Sequence, residues 1–387
     1  MNGPTEVTAG APGLLKAINI RAVLETVDRH GPLTRAQLRR ATGLSKTAIA
    51  QTVPELLERG VVVDVGFDDE TGGPAAVLYA IARGAATGGA LDITRGTVRA
   101  AVFDLGTGVR GRAVESAAES AVDIADAAFR ALERAATDAG LTVDGLDHIV
   151  VGVPGVVGPD DVIRLAPGLP DDGAGLASAL RHRLGDRVTL ENDTNLAAVA
   201  ELRLGAALGV ADFAFLFVGE SVGSGLVLDG RLHRGRRGAA GEVAYLPGPA
   251  GETDASLGMA SVRSDAEALG AEAPTDPAEL FLRARIDPQL AAVVEHTAER
   301  VARATAALGL VLDPELVVLG GSIGAGDPSF VEAVSRILVR DHPEVDVEIV
   351  ASDIGTDAVL RGAVELGRDR IRDAVFAAAA AGGSDGD

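Results

Sequence analysis

The 387-residue chain has no cysteine and only two lysines, Lys16 and Lys46. The first absence excludes disulfides, cysteine-ligated zinc, iron–sulfur clusters and thiol nucleophiles. It agrees with a cytoplasmic location. The second, beside abundant Ala, Gly, Arg, Asp and Val, reads as codon bias in a GC-rich genome rather than function. No uninterrupted apolar stretch approaches ~18 residues, so no membrane-spanning helix is expected. Residues 1–13 hold neither a basic stretch nor an apolar core, so no signal peptide is expected and they read as a flexible tail. Positive charge is also in deficit. With 35 basic and 56 acidic residues the net charge is −21, which argues against a protein that coats nucleic acid with its whole surface. What remains is an ordinary globular balance, 47% hydrophobic and 24% charged, over a length that suggests two or three domains.

The acidity is unevenly spread. Residues 1–82 hold eight basic and nine acidic side chains, and 31–60 hold five basic against two acidic. In this stretch apolar residues 14, 15, 18, 20, 23, 24 and 27 follow a helical period. His30-Gly31-Pro32 ends that helix. Thr34 is placed to cap a second helix through Ala41, Thr42-Gly43-Leu44 is a tight turn, and Ser45 caps a third helix to about Arg59. Pro54 predicts a kink in this third helix or a regular part shortened to 45–53. Two β-rich runs, 61–65 and 76–81, flank a polar, Gly/Pro-rich hairpin tip. Helix, helix, turn, helix, hairpin over 14–82 is the pattern of a winged helix-turn-helix DNA-binding domain. A small α+β domain without a DNA role is the plainer alternative. On the DNA reading Ser45, Lys46, Thr47 and Gln51 lie at the N-terminal end of the recognition helix, where base edges are met. Gln pairs adenine bidentately and Thr meets a thymine methyl. Arg35, Arg39 and Arg40 suit phosphates, which position the protein without reading sequence.

From residue 88 onward strands and helices alternate, which predicts an α/β body of two lobes. Strands are expected at 90–93, 99–105, 148–153, 187–190, 214–218, 225–228, 316–319 and 345–350. Helices are expected at 117–140, 194–208, 288–312 and 358–376. The alanine run from 377 and the polar residues after it predict a disordered tail at 377–387.

The order of motifs in this body resembles the ROK family (repressor, open reading frame, kinase), whose fold is actin-like and shared with sugar kinases. The residues that carry the resemblance are Gly152-Val153-Pro154-Gly155, Glu191-Asn192-Asp193-Thr194-Asn195, the run 219–225, Gly241-Glu242-Val243 and the run 316–321. Ile354-Gly355 and Arg361-Gly362-Ala363 fit its C-terminal helix. The resemblance implies that Asp193 corresponds to the general base of the kinases, with Asn192 as a hydroxyl partner. Asn192 and Asp193 are equally suited to capping the helix that follows. Gly155, Asn192, Asp193, Glu242 and Tyr245 are the candidate ligand-binding residues. Members with an N-terminal winged helix are regulators, and those without it are mostly kinases.

Departures from the family pattern bear on activity. Its first phosphate loop, Asp-Ile-Gly-Gly-Thr-Lys, is here Asp92-Ile93-Thr94-Arg95-Gly96-Thr97. In the second loop Glu220 stands where a phosphate-facing Thr is usual, and a carboxylate there repels phosphate. Tyr245 replaces the zinc-binding histidine, and the cysteine loop is missing. With no cysteine and no ligand spacing among the six histidines, no zinc site is expected. The family's Pro-Asn-Leu is Pro167-Gly168-Leu169, and a glutamate is replaced near Ser261, so three sugar contacts are gone. The wing has Gly72-Gly73-Pro74 in place of Gly-Arg-Pro. A basic cluster, Arg231, His233, Arg234, Arg236 and Arg237, is either a solvated turn or a lure for an anionic effector. The expectation is a DNA-binding regulator, acting as a repressor, that senses a carbohydrate-like molecule without kinase activity, cofactor or metal. Its partners would be double-stranded operator DNA and a second copy of itself. The alternative is an ATP-dependent sugar kinase with a DNA-binding appendage.

Overall fold

The computed structural model describes residues 12–68, 75–106, 108–117, 120–166, 168–246 and 258–381. Three helices come first: α1 (Pro12–His30), α2 (Arg35–Thr42), preceded by the short strand β1 (Leu33–Thr34), and α3 (Lys46–Glu58). Local chemistry sets their ends. The Thr34 hydroxyl accepts from the Gln37 amide while the Gln37 side chain receives the Thr34 amide, a reciprocal cap. Gly43 ends α2 at φ 70°, a left-handed conformation that favours glycine. The Ser45 hydroxyl accepts from the Ala48 amide and starts α3. The helix then continues through Pro54 to Glu58, so the predicted break does not occur. Pro54 and Ala50 both lie on the exposed face, where water can take the carbonyl that proline leaves unbonded. Strands β2 (Val62–Asp68) and β3 (Ala76–Ile81) form a hairpin, and the sheet order is β1-β3-β2. The hairpin tip, with Gly72-Gly73-Pro74, lies outside the described residues.

The body begins with β4 (Thr87–Thr94), β5 (Thr97–Asp104) and β6 (Gly108–Ser116), followed by α4 (Ala121–Asp138) and β7 (His148–Val153). A small ladder of β8 (Val156–Val157) and β9 (Ile163–Arg164) precedes α5 (Leu176–Leu184), β10 (Val188–Asn192) and α6 (Asp193–Leu204). The second half runs β11 (Phe213–Val218), β12 (Val222–Leu228), β13 (Arg231–Leu232), α7 (Met259–Ala268), α8 (Pro277–Ala284) and α9 (Pro288–Leu312). It closes with β14 (Leu316–Gly320), α10 (Gly321–Gly324), α11 (Pro328–Asp341), β15 (Glu348–Ala351) and α12 (Ala358–Ala381). Two five-stranded sheets result, ordered β10-β7-β4-β5-β6 and β13-β12-β11-β14-β15.

Each sheet buries both faces. Leu91, Ile93 and Val151 of the first sheet pack on α4 and α5. On the opposite face Ala90, Ala101, Phe103 and Val150 pack on Leu360, Ala363 and Val364 of α12. In the second sheet Leu216, Val317 and Leu319 meet α7–α9 and α11. Phe213, Phe215 and Val318 meet Ala197, Ala198 and Ala200 of α6. Helices α6 and α12 therefore lie between the two sheets. Where they cross, a Cβ on Gly362 would fall onto the Leu196 carbonyl oxygen, so glycine is required for backbone to touch backbone.

Several elements differ from expectation. Strand β6 is not among the expected strands: its exposed and buried residues alternate, but glycine and arginine dilute the apolar signal. Helix α4 starts at the Ser120 cap instead of residue 117. Helix α12 runs to Ala381, with Phe376 and Ala379 buried, so residues 377–381 are not tail. Similarly α1 starts at Pro12, inside the expected N-terminal tail.

Candidate functional site

The carboxyl ends of β4, β7 and β10 lie side by side, with Asp92 opposite Gly152 and Gly152 opposite Glu191. Loops and helices open from such strand ends, so chemistry collects there. Asp92 is buried, one of its oxygens has no hydrogen-bond partner, and the other lies 3.7 Å from the Arg99 guanidinium. Burial pushes Asp92 up to about 6; Arg99 opposes this and Asp357 adds to it. Asp193, the first residue of α6, is half-buried and accepts from the Thr194 amide at 2.7 Å. Burial, with the charges of Asp92 and Glu242, raises it to about 7 against that amide. Glu242 is half-buried and also raised by burial. Three carboxylates thus share one field. Near neutral pH such groups both donate and accept hydrogen bonds, as a hydroxyl-bearing ligand requires.

The other expected ligand residues divide. Asn192 is occupied with structure: its carbonyl oxygen accepts from the Asn195 amide and the Thr194 hydroxyl, and its NH2 donates to the Gly155 carbonyl. Capping, the simpler of its two readings, is what the geometry displays. Gly155 has φ 121°, and a Cβ there would lie 2.7 Å from that of Ala166, so the tight turn requires glycine. Tyr245 is exposed, at the end of the turn Val243–Tyr245. Pro167 lies outside the described residues.

The basic cluster does not stand free. Arg234 donates to the buried Glu191 at 2.6 Å, and Glu191 in turn receives the Asn195 side chain. Arg231, Arg236 and Arg237 face solvent. Glu220 is likewise partnered, by Arg263 of α7 at 2.9 Å. Neither partner has a local sequence signal, since each pair spans 43 residues. Asp92 is a cleft residue absent from the sequence-based candidates. It keeps the family's residue type, so its only signal is its place at the head of the altered first loop.

Several glycines shared with phosphate loops have packing reasons. A Cβ on Gly225 would lie 2.5 Å from the Thr194 carbonyl oxygen and 2.7 Å from the Ala198 Cβ, so it lets α6 approach β12. Gly321 has φ 85° and sits against the Val218 backbone. The first loop is a two-residue hairpin, with Thr94 opposite Thr97 and Gly96 at φ 76°. Among the described residues no group of three His, Asp or Glu side chains is placed to hold a metal ion.

On the N-terminal unit, Arg39, Arg40, Lys46, Thr47 and Gln51 are all exposed. Arg39, Arg40 and Lys46 form no ion pair among the described residues. Arg35 is exposed and lies over the Tyr79 ring at 5.4 Å, so part of its charge is engaged. The Ser45 hydroxyl is used by the cap of α3.

Two sheets with a cleft at their strand ends, and helices between them, define the mixed α/β fold of sugar kinases and their relatives. The chain belongs to the ROK family, whose pattern matches residues 88–370. It is 27% identical over 241 residues to a putative xylose repressor of Caldicellulosiruptor sp. (strain Rt8B.4), covering 61% of this chain and 60% of that protein. It is 26% identical over 246 residues to the DNA-binding transcriptional dual regulator NagC of Escherichia coli (strain K12), covering 61% and 59%. The chain thus spans about three fifths of these relatives. Among solved structures, a ROK hexokinase from Thermus thermophilus is 30% identical with a TM-score of 0.64, over 74% of this chain and 99% of that one. A ROK family transcriptional regulator, a homolog of the E. coli MLC protein, shares the fold over 95% of this chain and 99% of its own, with a TM-score of 0.73 at 20% identity. The described residues contain no helix long and apolar enough to cross a membrane.

Proposed function

We propose that this protein is a DNA-binding transcriptional regulator, acting as a repressor, whose ROK body senses a carbohydrate-like molecule without phosphorylating it. The observation that carries this reading is the exposed, unpaired basic face of α2 and α3 on a unit appended to the ROK body. Residues 12–82 are the winged helix-turn-helix, α3 is its recognition helix, and β2–β3 its wing. Arg39 and Arg40 meet phosphates, and Lys46, Thr47 and Gln51 meet base edges. Asp92, Asp193 and Glu242 are the ligand-facing groups of the cleft. Relatives named as repressors support the reading. The regulator is cytoplasmic and binds a palindromic operator as a homodimer. Selection from a random duplex library with the full chain tests it: a single palindromic motif is expected, and recovery of unselected sequence overturns it.

One observation favours the alternative of a sugar kinase. A carboxylate raised to about 7, as Asp193 is, is well matched to taking a hydroxyl proton. A coupled assay with ATP and a hexose panel separates the readings. No turnover is expected, and turnover abolished by Asp193→Asn would establish the kinase.

A further inference from the structure

Helix α12 belongs to two regions at once. Its first turn borders the cleft. Arg99, the arginine beside Asp92, donates to the Thr356 carbonyl at 3.0 Å, and Arg112 pairs with Asp357 at 2.9 Å. Gly152, opposite Asp92 in the sheet, has Val359 and Leu196 so close that a Cβ would lie 2.7 and 2.8 Å from their side chains. One turn on, Gly362 meets the Leu196 backbone of α6, the helix that begins with Asp193. Gly367 then rests on the Phe103 ring. The far end lies in another neighbourhood. Ile371, Phe376 and Ala379 share a core with Ile20, Val23, Leu24 and Val27 of α1 and with Ile49, Val53 and Leu56 of α3. Arg372 lies 3.7 Å from Asp28, and Arg59, just after α3, donates to the Ala379 carbonyl at 2.6 Å.

We propose that α12 is the rod by which the cleft and the N-terminal helices sense each other. Its 24 residues span roughly 36 Å at the rise of an α-helix, and it has no proline to bend at. The glycine contacts leave no slack of even one methyl group, so a shift of α6 relative to the first sheet cannot be absorbed at the crossing. Close-packed contacts of this kind switch between arrangements instead of deforming smoothly. The far end carries the shift into the core beneath α1 and α3 and changes how α3 is presented. The meaning of this coupling rests on the regulator reading, but the coupling itself does not.

The test is hydrogen–deuterium exchange of the full chain, with neither DNA nor ligand, so its failure would leave the regulator reading standing. Gly152→Ala inserts one methyl against α6 and α12. Gly89→Ala inserts one on the opposite face of the same sheet, against Leu132, Leu146 and Ile149. Gly152→Ala is expected to speed exchange in α1 and α3 by about fivefold or more, the low end of measured couplings between sites. Gly89→Ala should leave α1 and α3 unchanged. If Gly152→Ala does not fold, Arg99→Ala, which frees the Thr356 carbonyl, gives the same comparison. Linkage is reciprocal, so Arg59→Ala should speed exchange at 355–362. Acceleration confined to the cleft, equal acceleration by both alanine insertions, or no reciprocal effect would each overturn the proposal.

Discussion

The N-terminal unit and the ROK body use arginine in opposite ways. In the body arginines are matched with acids: Arg134 with Glu115, Arg336 with Glu295, Arg263 with Glu220 and Arg234 with Glu191. On α2 and α3, Arg39, Arg40 and Lys46 have no such partner among the described residues. A paired charge is largely neutralised and offers little to a distant phosphate. An unpaired one costs nothing in water and remains available to the counterion-rich DNA backbone. The difference teaches that the overall charge of −21 is a poor guide to partners. An acidic body repels DNA everywhere except at one face, which favours encounter by that face alone.

Replacing Arg39, Arg40 and Lys46 together by alanine tests this contrast most severely. Operator affinity should fall by on the order of 100-fold at moderate salt, and the slope against salt should shallow by about 3. Fluorescence anisotropy over a salt series measures both. An equal loss on removing Arg134, Arg336 and Arg340 from the body would break the contrast. Next in size is Gln51→Ala. It should cost ~1–3 kcal/mol at the selected operator and little on random duplex, if Gln51 reads a base. Equal weakening on both would demote it to a backbone contact.

The cleft offers a third test, through pH. Asp193 sits near 7 in the folded protein, above its ordinary 3.8. Between those values the folded state keeps a proton that the unfolded chain has lost, so stability falls as pH rises through this window. Solvent reaches the half-buried group, so the loss between pH 5 and pH 8 should be on the order of 1–2 kcal/mol, below the full equivalent of the shift. Urea denaturation at the two pH values should show a smaller loss for Asp193→Asn. A larger loss in the variant would reverse the assigned cause. The smallest effect belongs to the body's surface pairs. Arg336→Ala, which breaks an exposed pair, should cost ~1 kcal/mol or less and leave DNA binding untouched.

Elements with strong periodicity or firm caps are legible in the sequence. Strand 148–153 and helix 288–312 coincide with β7 and α9 at both ends, since an unbroken apolar run and an Asp-Pro start mark them locally. Strand β6 and helices α5, α7, α8 and α11 are not legible in the same way, because their apolar signals are diluted. Of the candidate site, Asp193 and Glu242 are legible through the motif order, and both lie half-buried with raised affinity for a proton. Asn192 proves to be a cap, and Asp92 joins the site only through the sheet. Both depend on neighbours distant along the chain.

By itself the sequence determined the class of elements, the ROK motif order and the concentration of unpaired basic residues near α3, because caps, periodicity and charge are properties of neighbouring residues. Only the tertiary structure decided that Arg234 belongs to Glu191, that Arg263 belongs to Glu220, and that α12 joins the cleft to the N-terminal helices. Those contacts link residues 43 to 320 positions apart, and at such separations pairing is set by how sheets and helices pack, not by any pattern along the chain.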